Sequence, residues 1–213
     1  FVAESLLLEP TFYRDEALLA AVPGAAAPDV LVEVMLRRGP TRTLTKTLIE
    51  GLADESLAGT AERALRDLGK GVLEHVLSAY ADPERPEPAR ARLAGVLVHG
   101  GAAAAAHVAD AFGPQATPLD DQLRAVLVGI GDAAVPPLVA AYEHSGWLEK
   151  VGAGLVSRLN NRRVQVARAL GELGGVAATA ALQGLHDREK EPNLRLTLSR
   201  ALHDARGAGG GDG

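Results

Sequence analysis

The chain has 213 residues, a formal net charge of −5, no cysteine, 47% hydrophobic residues and only 3% aromatic ones. These values exclude disulfides and thiolate metal sites, argue against a basic nucleic-acid binder, and leave an aliphatic core of Leu, Val and Ala. Ala and Leu are strong helix formers and β-branched runs are scarce, so the expected class is all-α.

In chain order, residues 14–22 and 28–37 read as a weak helix pair joined through Pro23-Gly24, and 41–52 as a further helix. A repeat then begins. The segments 61–69 (AERALRDLG), 92–100 (RLAGVLVHG), 123–131 (LRAVLVGIG) and 166–174 (VARALGELG) align on a final glycine. Gly69, Gly100 and Gly131 are spaced by 31 residues, and Gly174 follows after 43. The surplus of 12 residues is about three helical turns and predicts an inserted helix over 147–158. After each glycine, apolar residues recur at +4, +8 and +11: Leu73, Leu77 and Tyr80; Ala104, Val108 and Ala111; Val135, Val139 and Tyr142; Ala178, Leu182 and Leu185. This is one stripe of a helix. Each unit is therefore expected to be a helix, a turn at a positive-φ glycine, and an antiparallel helix. Neither helix buries its stripe alone, so neighbouring units must stack. Proline-bearing loops at 82–88, 113–118 and 187–192 separate the units. A last helix is predicted over 192–204, with Leu194, Leu198, Ala201 and Leu202 as its stripe. No apolar run approaches the ~20 residues of a membrane span, and no signal peptide is evident. The absence of an initial Met and the glycine-rich stretch 207–213 lead us to expect a piece of a longer polypeptide. Cytoplasmic location is expected.

Residues 123–142 (LRAVLVGIGDAAVPPLVAAY) resemble a HEAT repeat of the kind common in bacterial proteins, through the Leu-rich first helix, the Gly131-Asp132 turn and the Val135-Pro136 start of the second helix. Segments 162–173 and 192–202 are similar to its first helix. The resemblance covers about 57–204, more loosely 14–52, and departs at His99 and the alanine run 102–106. It implies an armadillo-like, right-handed α-α superhelix: a solenoid of antiparallel helix pairs forming one repeat domain over 1–206, with 207–213 as a tail. It implies a bias towards protein binding and no particular activity.

Two glutamate–histidine pairs stand out, Glu74-His75 and Glu143-His144. HEAT-like enzymes that bind iron repeat a His-Glu motif on successive units; here the order is reversed and the pairs occupy unmatched columns. No metal, cofactor or catalytic residue is therefore expected. His107, in the column of Val76 and Leu138, is expected to be partly buried. Arg158, Arg162, Arg163 and Arg168 form a local basic cluster near the sole tryptophan, Trp147. An alternative reading is thus a HEAT-like enzyme or accessory factor, of nucleic-acid repair or chromophore-lyase type. The plainer expectation places Arg162, Arg163 and Arg168 on the exposed face of a first helix. Gly152 and Gly154 lack the flanking residues of a phosphate loop and fit close packing or a bend.

With the stripe turned inward, columns +9 and +10 face outward. They read Ser78, Ala109, Ala140 and Gln183, then Ala79, Asp110, Ala141 and Gly184. Such short side chains either floor a groove or permit close packing of neighbouring helices. Glu74, His75, Asp82, Glu143 and Asp187 would give the groove a mildly acidic rim. The candidate partner-binding residues are Glu74, His75, Ser78, Ala109, Asp110, Ala140, Glu143 and Gln183. The expected function is a protein–protein interaction scaffold. Its expected partner is another protein, or another segment of the same longer polypeptide, with neither nucleic acid nor membrane.

Overall fold

The computed structural model describes residues 41–113, 115–151 and 156–208, with isolated positions before residue 41; at 146–151 and 156–159 only the backbone is described. The helices expected at 14–22 and 28–37 lie outside the described residues apart from Ala21, Val32, Glu33, Leu36 and Arg37, which are helical; Gly152 and Gly154 lie outside them too. The described residues are helical or in turns, with no strand among them. They fall into two compact units divided after Gly100.

The first unit contains α1 (Arg42–Gly51), α2 (Glu55–Asp67), α3 (Leu73–Tyr80) and α4 (Glu87–His99). Helix starts are capped as the sequence allows. Thr41 Oγ1 accepts from the Leu44 N–H at 3.1 Å, and the Asp54 carboxylate accepts from the Ser56 N–H at 2.9 Å, each satisfying a donor that lacks an intrahelical partner. α1 packs on α2 and α3, and α4 packs on α2 and α3. The core between them is aliphatic, with Leu44, Leu48, Leu65, Leu73, Val76, Leu93 and Leu97 buried.

The second unit contains α5 (Gly101–Ala111), α6 (Pro118–Ile130), α7 (Val135–Val151), α8 (Val156–Leu173), α9 (Gly175–Arg188) and α10 (Pro192–Ala208). α6 opens with a capping box, Thr117 with Asp120, and with Pro118 in the first turn, where its missing N–H costs nothing. Within this unit α5, α7 and α9 touch in series, and so do α6, α8 and α10. Each row is the alternate set of helices, as expected if first and second helices segregate. The predicted stripe of α10 is buried at Leu194, Leu198, Ala201 and Leu202.

The turns depart from expectation at one point. Gly69, Gly131 and Gly174 have positive φ, of 62, 72 and 64°. Gly100 does not: its φ is −65°, and its N–H bonds back to the Val96 and Leu97 carbonyls, each at 3.0 Å. The left-handed residue is Gly101, at φ 56°. Two adjacent glycines offer the turn a choice, and the helix runs one residue further before taking it. Counted from Gly101, positions +4, +7, +8 and +11 are Ala105, Val108, Ala109 and Phe112, all fully buried. They match Leu73, Val76, Leu77 and Tyr80 of α3, and Val135, Leu138, Val139 and Tyr142 of α7. The aromatic column is therefore Tyr80, Phe112 and Tyr142. The expected positions of Ala111 and His107 are corrected accordingly: both are exposed.

The inserted helix expected at 147–158 is not found. α7 runs unbroken from Val135 past Trp147 to Val151, and α8 begins at Val156. The surplus residues lengthen α7 and α8 to 17 and 18 residues. By length and composition alone, Pro118–Ser145 is apolar enough to cross a membrane, contrary to the expectation that no run would be. The positive φ of Gly131 and the 3-10 turn Gly131–Ala134 divide it into α6 and α7. α6 buries Leu123, Val126 and Leu127, and α7 buries Val135, Leu138 and Tyr142.

α8 and α10 approach closely at Gly171. A Cβ added there would lie 3.0 Å from both Cα and the carbonyl oxygen of Ala201, atoms that cannot move without the helix. Gly171→Val is expected to destabilise by about 1–3 kcal/mol through overpacking. Gly59 in α2 has nothing within 4 Å of an added Cβ. Gly59→Ala should instead stabilise by about 0.5–1 kcal/mol, from helix propensity. Urea unfolding of the two variants checks the contrast, and a Gly171→Val protein as stable as wild type would contradict the close approach.

Candidate functional site

The candidate partner-binding residues divide between the two units. On α7 and α9, Ala140, Glu143 and Gln183 are exposed, and Asp110 is exposed near the end of α5. Ala109 is not: its exposure is 0%. Its place on a groove floor is therefore corrected, for the reason given by Gly101. The register shift turns it from the outward column into the buried stripe of α5.

The acidic rim is neutralised only in part on this unit. Asp110 pairs with Arg162, whose Nη2 lies 2.9 Å from Oδ1, and Glu143 pairs with Arg188 at 2.8 Å. Gln183 Nε2 donates to Asp187 at 2.9 Å. Arg162 and Arg163 were expected on an exposed face, and both placements are corrected. The Arg162 side chain is only 11% exposed and also donates to the Asp110 carbonyl at 3.0 Å, satisfying a backbone acceptor at the end of α5. Arg163 is buried; Arg168 is exposed.

Arg163 belongs to a centre that local spacing did not reveal. Its guanidinium carbon lies 4.4 Å from the Tyr142 ring centroid, within cation–π range. It is ion-paired to Glu189, whose carboxylate also accepts the Tyr142 hydroxyl at 2.7 Å. The other Glu189 oxygen accepts from the N–H groups of Lys190 and Glu191, at 2.9 and 3.0 Å. Burial alone would raise the Glu189 pKa. The Glu191 N–H, the Tyr142 hydroxyl and the Arg163 charge outweigh it and hold the carboxyl below its ordinary value. Burial pushes the Tyr142 hydroxyl well up, and its bond to Glu189 adds to this. The centre ties α7, α8 and the connection into α10 together.

A second polar chain joins α6 to α8. Arg124 donates to Glu172, Gln165 and Asp121 at 2.7, 2.5 and 2.6 Å. Gln165 donates to Asn161 at 3.2 Å, and Asn161 donates to the Gly113 carbonyl at 2.8 Å. Buried Gln165 and Asp120 are thereby provided with partners, which fits a structural role.

On the first unit, Glu74, His75 and Ser78 are exposed on α3. His75 and Ser78 line a cleft of about 430 Å³ between α1 and α3, with Arg42 and Lys46 of α1 and with Asp82 and Arg85 of the following loop. The buried Ile49 side chain and Ala79 supply its apolar part. The lining combines three cationic side chains with the carboxylates of Glu50 and Asp82, so it is not the acidic rim expected. Arg42 and Arg85 escaped notice in the sequence because they stand outside the glycine-aligned columns. Among the described residues no group of three or more His, Asp or Glu side chains is placed to hold a metal ion.

No family model matches the chain, and no curated protein matches it. Among solved structures it is similar to human deoxyhypusine hydroxylase in complex with glycerol, at 18% identity and a TM-score of 0.35, over 97% of this chain and 95% of that one.

Proposed function

We propose that this chain is a HEAT-like helical-repeat module, a right-handed superhelical solenoid that holds a segment of another protein on the face of its second helices, in the cytoplasm. One observation supports this above all. The apolar columns of α3, α7 and α9 are turned into packing, while Ser78, Ala140 and Gln183 stand exposed beside them. Side chains that are short or uncharged let a partner segment lie close along a helix row. The buried charges of the second unit have partners within the fold, which suits packing better than chemistry.

Site-specific photo-cross-linking tests this. A benzophenone side chain is placed in turn at Ser78, Ala140 and Gln183, with exposed Leu196 of α10 as the control. The expected result is one protein captured from the three positions and none from Leu196. Capture from Leu196 alone, or from none of the three, would move the binding face elsewhere.

A further inference from the structure

We infer that the cleft between α1 and α3 takes an acidic peptide segment, with Arg42 and Arg85 receiving its carboxylates; this rests on the reading of the chain as a protein-binding module. The cleft, at about 430 Å³, is within the range of roughly 300–1,000 Å³ usual for ligand pockets. Arg42 and Lys46 are four residues apart on α1, so they share a face, and His75 and Ser78 stand three apart on α3. Arg85 enters from the loop. Its Nε donates to the Ala79 carbonyl at 3.2 Å, which fixes the stem and leaves both terminal NH₂ groups to meet an acceptor.

The two carboxylates of the cleft are already engaged. Glu50 pairs with Lys46 at 3.7 Å, and Asp82 accepts the Glu84 N–H at 3.0 Å. Among the described residues neither Arg42 nor Arg85 has a carboxylate within ion-pair distance. In the second unit Arg124, Arg162, Arg163 and Arg188 each have one. The chain as a whole carries −5, whereas the cleft lining sets Arg42, Lys46 and Arg85 against Glu50 and Asp82, a local surplus of one positive charge. A guanidinium binds a carboxylate through two parallel N–H donors, which gives orientation as well as attraction. Ile49 and Ala79 offer an apolar surface for the stems of glutamate side chains.

The probe is fluorescein-labelled hexaglutamate, with hexalysine as the opposite-charge control, measured by fluorescence anisotropy on the full chain at low and high salt. Binding of hexaglutamate alone is expected, weakening with salt. Arg42→Glu/Arg85→Glu should weaken it by about tenfold or more, from two lost charge-assisted contacts. Arg168→Glu, the same charge change at exposed Arg168 on α8, should leave it unchanged. Thermal melting confirms folding of each variant, and Arg42→Gln/Arg85→Gln removes the charges without reversing them should the first double variant melt early. Undiminished binding by both double variants overturns the inference. So does displacement by equimolar inorganic phosphate, which would mark a small-anion site, or preference for a DNA duplex. If hexaglutamate fails to bind while Ser78 still cross-links a partner, the acidic-peptide inference falls and the binding-module reading stands. If both fail, both readings fall.

Discussion

Glu189→Ala should lower the free energy of unfolding by about 3–5 kcal/mol, the usual loss when one partner of a buried ion pair is removed. The side chains of Glu189 and Arg163 are 7% and 8% exposed. Without the carboxylate, the Arg163 charge stays buried and loses its ion pair with Glu189. The Tyr142 hydroxyl and the N–H groups of Lys190 and Glu191 lose their acceptor as well. Glu189→Gln keeps an acceptor and should cost less. Arg163→Met combined with Glu189→Gln should recover most of the loss, because replacing a buried pair outright is often close to neutral. Urea unfolding followed by circular dichroism measures all three, and a Glu189→Ala protein within about 1 kcal/mol of wild type would contradict the burial on which the loss depends. The same centre fixes a dependence on pH. The Glu189 pKa is lowered in the folded chain, so its contribution is fully present above the unfolded glutamate value of about 4.3 and is lost as pH falls through the folded value. The Tyr142 pKa is raised, so its contribution is present below the unfolded value of about 10 and is lost as pH rises through the folded one. Glu189→Gln should flatten the acid limb and reduce, without abolishing, the alkaline limb, whose largest cause is the burial of Tyr142.

Ala109→Arg should abolish cooperative folding at ordinary temperature, whereas Ala140→Arg should melt like the wild type. Ala109 is fully buried on α5, one residue from Val108 and three from Phe112. A longer side chain there overpacks the core by about 1–3 kcal/mol, and its charge adds several more. Those terms together approach the roughly 5–15 kcal/mol by which whole domains are stable. Ala140 is exposed on α7, and Arg is nearly as good a helix former as Ala, so only a few tenths of a kcal/mol are at stake. Thermal melting of the two variants is decisive. Unchanged melting of Ala109→Arg would place that alanine on the surface and return the turn to Gly100.

The helices and their buried stripes were largely legible in the sequence. Leu73, Leu77, Val135, Tyr142, Leu182, Leu185, Leu194 and Leu198 are buried where the apolar period put them, because burying an amphipathic face is a local demand. The choice between Gly100 and Gly101 was not legible from the glycines. Phe112 held the information: an apolar aromatic left outside the stripe by one residue signals a misplaced register. The continuation of α7 through Trp147 was hidden by the 12-residue surplus, which read as one inserted helix and not as the lengthening of two. The roles of Arg162 and Arg163 were hidden for a different reason. Their partners are 52 and 26 residues away, beyond any spacing rule. Of the candidate site, the exposure of His75 and Ser78 follows from the helix period. The arginines that share their cleft come from a neighbouring helix and a loop, which no single-helix pattern connects.

The step from Gly100 to Gly101 has a consequence for anyone who would recombine these modules. From one left-handed glycine to the next, the first module spans 32 residues and the second 30. A consensus averaged over glycine-aligned copies would merge His107 with Val76 and Leu138, and so write a surface histidine into a core position. Cassettes excised on a fixed 31-residue ruler would carry the same fault into every junction. Moving the middle cassette by a single residue aligns Val108 with Val76 and Phe112 with the two tyrosines, so that buried positions match buried positions.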